Sequence, residues 1–368
     1  MEWVLGILSS IFLILHLSNL YKKYFIISRY SPEISHSYPP LPFSIIICTE
    51  GTAPRLLNYL GKILSQNYST FEIIVVCKNT PIELLEELHK KSLETEKLRI
   101  ENITILDLPY IEKKQALNYG VSLANNEWMI TIDDDCYPAS EYWLSSISQH
   151  IQYFKCDILL GLSPYISQNG FMNQWVRFDA LHTTINFLYF TIIGKPYMGI
   201  GRNMTFKKEL WSKEYLEQFQ DLGSGDDTTL VNYYKSIKKI DVFTESLVYS
   251  FPHTSFIAWC KQKLRHVHKG KFLDKSIQIE LSKPLLYSFL FWFCIWIWMS
   301  FFAFHFIIFG LIFTFILLKI FFLYKISKHL QWKSKPVFYT ALFDAFYSFS
   351  LLIFPFLSIF IKFKWRKN

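Results

Sequence analysis

The chain of 368 residues is poor in charge. Asp, Glu, Lys and Arg make up 18% of it, where a soluble globular domain carries about 25%. Its six cysteines never fall into a C-x-x-C pair, which argues against a disulfide framework or a structural zinc site and for a reducing compartment. There is no G-x-x-x-x-G-K-[ST] loop, and no G-x-G-x-x-G after the first β-branched run. P-loop and dinucleotide-binding readings therefore lack their phosphate cradle. Apolar residues, by contrast, make up 51% and aromatic residues 18%, which excludes a disordered chain. The net charge of +8 suits an anionic partner: lipid head groups, a phosphorylated substrate or nucleic acid. No recognition motif for nucleic acid is present, so that partner is set aside.

The apolar residues are concentrated at the two ends. Residues 3–20 form an apolar run near the lower limit for crossing a bilayer. Glu2 precedes it, Lys22 and Lys23 come after it, and no small-residue cleavage site is visible. This is the pattern of an anchor rather than a signal peptide, and the positive-inside rule places the chain beyond Lys23 in the cytoplasm. Residues 285–318 are uncharged throughout. As one helix they would be roughly 50 Å long, too long for a hydrocarbon core of about 30 Å, so two spans with a tight turn near Ser300 to His305 are expected. A basic loop with Lys319, Lys325, Lys328, Lys333 and Lys335 comes next. A last apolar stretch, 337–361, holds Asp344 and Pro355 and has basic residues on both flanks. It is either a third crossing that breaks the charge rule or a re-entrant or interfacial segment. Asp344 is expected to turn toward other helices rather than lipid.

Between these ends the pattern alternates. Residues 31–42 are rich in Pro and Ser and read as a linker. Short β-branched runs at 43–48, 71–77, 103–108 and 128–133 are separated by helical patterns, the last of them at 113–124. Strands alternating with helices imply βαβ units, a mainly parallel sheet and three layers. Ligands in such sheets bind beyond the carboxyl ends of the strands, just after Cys48, Cys77, Leu108 and Ile132. Immediately after Ile132 stand Asp133, Asp134, Asp135 and Cys136. Three carboxylates at a strand end are either a solvated acidic turn or a site whose repulsion a hard dication relieves while also holding phosphates. Asp226 and Asp227 read, from the residues alone, as a helix cap with first-turn carboxylates.

The order of motifs resembles the membrane-bound family 2 glycosyltransferases, which carry a GT-A fold. The opening strand FSIIICTEG, Lys113 to Asn118 (KKQALN), the acidic Asp133 to Asp135, the loop with Gly199, Gly201 and Asn203, the pair Asp226–Asp227 and the segment Gln262 to His266 (QKLRH) keep the family's order. The resemblance implies inverting transfer from a nucleotide diphosphate sugar. It assigns Mg2+ or Mn2+ to Asp135, with Asp133 beside it or on the ribose. Asp227 becomes the general base, with Asp226 in place of the family's glutamate. Thr49, Glu50, Asn79, Lys113, Asp133, Gln262 and Arg265 are implied to hold the nucleotide sugar, and Gly199, Gly201 and Asn203 to form the acceptor and sugar loop.

The chain departs from the family at three places. Cys48, Thr49, Glu50 and Gly51 end the first strand, and Cys77, Lys78 and Asn79 stand where the family has an aspartate that reads the base. His266 replaces a tryptophan of processive synthases, which favours single-sugar transfer. The basic stretch 261–275 reads as a membrane-surface belt or as a lid over the site. The expected architecture is α/β: a GT-A-type nucleotide-sugar-binding domain over 43–280 between amino- and carboxyl-terminal transmembrane helices. Residues 1–24 would be the anchor, 25–42 the linker, 281–324 a transmembrane hairpin, 325–336 a basic cytoplasmic loop, and 337–368 a third membrane segment with a basic tail. The expected protein is a metal-dependent, hexosyltransferase-like enzyme of the plasma (inner) membrane, its catalytic domain cytoplasmic. It would act on a growing, lipid-linked cell-envelope glycan and contact membrane lipids. Two alternatives are a non-catalytic nucleotide-sugar-binding partner of a synthase and a processive polysaccharide synthase.

Overall fold

The computed structural model describes residues 2–31, 34, 37–102, 113–219, 225–252, 255–270, 273–302, 306–332 and 340–360. In chain order the elements are α1 (Glu2–Arg29), β1 (Phe43–Glu50), α2 (Leu56–Leu64), β2 (Phe71–Lys78), α3 (Ile82–Leu93), β3 (Leu98–Asn102), α4 (Lys113–Leu123), β4 (Trp128–Asp133), β5 (Cys136–Pro138), α5 (Trp143–Phe154), β6 (Ile158–Leu162) and α6 (Phe171–Ile192). They continue with β7 (Met204–Lys207), α7 (Lys213–Gln218), α8 (Asp226–Tyr234), β8 (Ile240–Ser250), α9 (Phe256–Gly270), α10 (Lys275–Phe301), α11 (Phe306–His329) and α12 (Thr340–Phe360). The strand expected over 103–108 lies outside the described residues, and the third described strand is β3.

The chain divides into two compact units. One comprises Pro32–Ile166, Ile193–Phe251 and Trp365–Asn368. Its described strands form a sheet in the order β3-β2-β1-β4-β7-β6-β8-β5. The first four are parallel, as the alternating pattern implies. The other half is mixed, because β7 runs antiparallel to both β4 and β6, and β5 antiparallel to β8. Of the parallel strands, β1, β2 and β4 are buried on both faces, so they read as continuous apolar runs. Ile45, Ile47, Ile73, Val75, Ile130 and Ile132 meet Leu56, Leu60 and Ile63 of α2 and Trp143, Leu144 and Ile147 of α5 in one core. On α4, Gly120 allows close approach to the sheet: a Cβ there would lie 2.7 Å from Ile46 Cγ2 and 3.1 Å from Val76 Cγ2.

The register aligns the carboxyl ends of the central strands. Glu50 of β1 stands opposite Lys78 of β2, and Cys48 of β1 opposite Asp133 of β4. One edge of the sheet therefore collects the chemistry-bearing residues.

The second unit comprises Met1–Ser31, Ser167–Ile192 and Pro252–Lys364. Among the described residues, α1, α10 and α11 are long and apolar enough to cross a membrane. Leu5 and Leu13 of α1 pack with Phe291, Ile295 and Trp298 of α10 and with Ile308 and Phe315 of α11. The amino-terminal helix does not end near residue 24 but continues to Arg29. Lys23 is buried and donates to Asn186 Oδ1 on α6 at 2.7 Å. Lys319, read from sequence as a loop cation, is likewise inside α11, where it pairs with Asp344 of α12. Asp344 also accepts from Ser288 and, at 3.0 Å, from Trp292 Nε1. It thus faces other helices, as an ionisable group in an apolar bundle must.

Helix α6 belongs to this unit and has no counterpart in the sequence reading. It is buried on nearly all sides, so it carries no apolar stripe to betray it. Its Asp179 accepts from Lys263 (2.5 Å) and Trp259 Nε1 (3.0 Å) of α9 and from Tyr347 Oη (2.9 Å) of α12.

The packing sets clear expectations for stability. Gly120→Val should lower it by about 1–3 kcal/mol through overpacking, whereas Gly61→Ala, with open space around its Cβ, should raise it by about 0.5–1 kcal/mol. Thermal unfolding in detergent would compare them. In the same assay, Asp179→Ala should cost about 3–5 kcal/mol because it strands the buried Lys263 ammonium. Adding Lys263→Met should recover part of that loss.

Candidate functional site

The acidic run begins at the last residue of β4, and each carboxylate meets a different partner. Asp133 forms an ion pair with Lys113 at the start of α4. Asp134 Oδ2 accepts from Thr49 Oγ1 of β1 at 2.7 Å. Asp135 Oδ1 accepts from the Cys136 thiol at 3.1 Å. Ligand atoms of Asp133, Asp135 and Cys136 lie within 4.8 Å of one another. Asp133, Asp134 and Asp135 edge a cleft of about 440 Å3 that is also lined by Thr49, Glu50, Arg55, Lys78 and Lys113.

The electrostatics show where negative charge is uncompensated. Burial works against both charges of the Lys113–Asp133 pair, but their attraction wins: the Lys113 ammonium is held above its ordinary range and the Asp133 carboxyl below its own. Burial, with Asp133 and Asp135 on either side, pushes the Asp134 carboxyl up to about 6 despite the Thr49 hydrogen bond. Asp135 is raised by burial and by Asp133. Burial and the same two aspartates drive the Cys136 thiol well up, and it donates to Asp135 Oδ1. The donors left for a cation are the carboxylates of Asp133 and Asp135. Two hard oxygen donors beside an open cleft suit Mg2+ or Mn2+ completed by phosphate and water, not zinc.

Arg202 is a cation that sequence reasoning passed over, noticing only the glycines around it. Its guanidinium donates to Ser163 Oγ at 2.7 Å and to the Ser163 carbonyl at 3.0 Å, and stacks 4.7 Å from the Tyr165 ring centroid. Burial opposes its charge, but Tyr165, Cys136, Asp133 and Asp135 hold it protonated. Arg55 and Lys78 were also unassigned from sequence. Lys78 was noted only as a departure from the family's base-reading aspartate and Arg55 not at all, and the cleft brings both beside the aspartates.

The second acidic pair opens α8. Gly225, at φ +100°, makes the left-handed turn into the helix. Asp227 Oδ2 accepts from the Gly201 N–H at 3.1 Å, and its Oδ1 from the Thr228 N–H at 2.7 Å. The loop holding Gly199, Gly201 and Asn203 thus aims a backbone donor at this carboxylate. A Cβ at Gly199 would lie 2.9 Å from Leu160 Cδ2, so a side chain there would have to push that leucine aside. Asp226 is buried, and its charge acts on the Lys113 ammonium and the Cys48 thiol. Through Lys113, the pair on α8 and the cluster after β4 share one electrostatic environment.

The remaining sequence candidates fall elsewhere. Asn203 is 2% exposed; its Oδ1 accepts from Trp143 Nε1 at 3.2 Å and its Nδ2 donates to the Leu162 carbonyl at 2.8 Å. It braces the loop from within, in place of the sugar contact expected of it. Asn79 comes directly after β2 at φ +48°, a left-handed conformation that asparagine tolerates. Gln262 and Arg265 are on α9, in the helical unit.

Residues 44–218 match the model of the family described as Glycosyl transferase family 2. Among solved structures, the chain is similar to a mannosyltransferase, PcManGT from Pyrobaculum calidifontis, in complex with GDP-Man and Mn2+. The TM-score is 0.63 with 14% identity, over 96% of this chain and 99% of that one. TarS of S. aureus in complex with UDP-GlcNAc aligns with a TM-score of 0.43 and 12% identity, over 84% of this chain and 90% of that one. No curated protein matches the sequence. The mixed sheet with its acidic strand end is the GT-A fold, and over residues 44–218 the chain is similar to the family 2 glycosyltransferases.

Proposed function

We propose that the protein is an inverting, metal-dependent glycosyltransferase. It moves a hexose-like sugar from a nucleotide diphosphate sugar to a growing, lipid-linked glycan of the cell envelope. The observation that supports this reading is that Lys113 pairs with Asp133 and also feels the charge of Asp226, next to Asp227, so the hard-cation donor pair and the second acidic pair act on one ammonium.

A Mg2+ or Mn2+ held by Asp133 and Asp135 would supply Lewis-acid stabilisation of the diphosphate leaving group. Asp227 takes the proton from the acceptor hydroxyl as its oxygen bonds to the anomeric carbon. The bond from that carbon to the diphosphate oxygen breaks on the opposite face, and its electron pair leaves with the diphosphate. Fixed by the Gly201 and Thr228 N–H groups, Asp227 needs little reorientation for this step. Lys113 and Arg202 offset the charge growing on the diphosphate. Asn203 keeps the Gly199–Gly201 loop in register with the base. By the charge rule, the three candidate spans hold this domain at the cytoplasmic face of the plasma (inner) membrane. With His266 in place of a tryptophan, one sugar is added per encounter.

Two measurements test the reading. Asp227→Asn should lower kcat by about 10^2–10^4-fold while leaving nucleotide binding within a few-fold, measured by donor turnover and calorimetry. Absence of turnover in the wild type, despite binding of the donor, would instead favour a non-catalytic partner. Asp135→Ala should abolish the Mn2+-dependent rise in melting temperature that a nucleoside diphosphate confers by mass action. Chelation of the wild type should do the same.

A further inference from the structure

The acidic cluster occupies only one end of the cleft. Across β1, at its other flank, Lys78 Nζ lies 3.3 Å from Glu50 Oε1, and both residues line the same cleft as Asp133 and Asp135. The β2 and β4 strands that carry Lys78 and Asp133 are two strand spacings apart, roughly 10 Å, a distance that a ribose bridges between a phosphate and a base. The Lys78 side chain is 16% exposed and that of Glu50 38%, so the pair presents a carboxylate edge beside an ammonium at the cleft wall.

That pattern has one good match among the nucleobases. The Watson–Crick edge of guanine runs acceptor, donor, donor: O6, N1–H and the 2-amino group. A carboxylate accepts from the two adjacent donors with its two oxygens, while the ammonium beside it donates to O6. Uracil offers one donor between two carbonyl oxygens, so the second carboxylate oxygen would face an acceptor. Cytosine and adenine each set a single amino donor beside an acceptor ring nitrogen, which leaves the same conflict. An unmatched acceptor pair in a partly buried site is penalised more than a missing contact.

We infer that the Glu50–Lys78 pair reads guanine, so that the donor is a guanosine diphosphate sugar. This rests on the nucleotide-sugar reading above. The test is calorimetry on the full chain in detergent with Mn2+, titrating GDP, IDP, UDP, CDP and ADP. IDP differs from GDP only in lacking the 2-amino group. GDP should bind tightest, IDP should be about tenfold or more weaker, and Glu50→Gln should shrink the GDP-over-IDP preference to about threefold or less. Equal affinity for GDP and IDP, tighter binding of another base, or an unchanged preference in Glu50→Gln would overturn the assignment. If another base binds tightest and Asp135→Ala abolishes its metal dependence, guanine falls while the nucleotide-sugar reading stands. If no nucleoside diphosphate binds, both fall.

Discussion

Repulsion among the carboxylates at the end of β4 is the constraint around which the sheet edge is built. Three consecutive acidic side chains, partly withdrawn from water, cannot all stay ionised without compensation. The fold answers each one differently: an ammonium from α4 for Asp133, a hydroxyl from β1 for Asp134, and a thiol with the more distant Arg202 for Asp135. The compensation is unequal. Asp133 is held ionised, while Asp134 and Asp135 are pushed toward protonation. That residual negative potential, facing an open cleft, is what a divalent ion with a diphosphate would discharge.

The same ammonium links the two acidic sites. Lys113 is paired with Asp133 and also feels Asp226, so neither cluster has an independent electrostatic setting. The Gly201 N–H bonded to Asp227 adds a mechanical counterpart. One loop both carries Arg202 toward the acidic strand end and holds the carboxylate proposed as base. Asn203, spent on Trp143 and Leu162, keeps that loop fixed to β6 and α5. A preorganised site of this kind avoids reorganising dipoles while charge develops.

The helical unit obeys a different logic. Lys319 pairs with Asp344 and Lys263 with Asp179 in the interior, and the buried Lys23 donates to the Asn186 amide oxygen. Such pairs contribute little net stability compared with apolar packing, but removing one partner is costly. They therefore act as registers. Asp179 ties α9 and α12 to α6, and α9 is the helix that carries Gln262 and Arg265.

Much of this was legible in the residues alone. The continuous β-branched runs of β1, β2 and β4, the helical periods between them and the uncharged stretch split into α10 and α11 are local patterns, and local patterns survive folding. So does the acidic run after Ile132, because a strand end places its own neighbours. What the sequence could not supply is everything that depends on a distant partner. Helix α6 lacked a stripe because it is buried all round. Lys23 read as a charge flanking the anchor and Lys319 as a loop charge until their partners on α6 and α12 were seen. Asn203 looked like a sugar ligand until Trp143, far away in the chain, occupied its amide. Lys78 met Glu50 in the cleft only once the parallel register brought the strand ends level, and Arg55 and Arg202 came near the aspartates only in the folded chain. Sequence by itself determined the element types, the apolar ends and the acidic strand terminus, since these arise from side-chain periodicity and backbone propensity. Only tertiary structure decided which charges meet, because ion pairing depends on distance through space and not on separation along the chain.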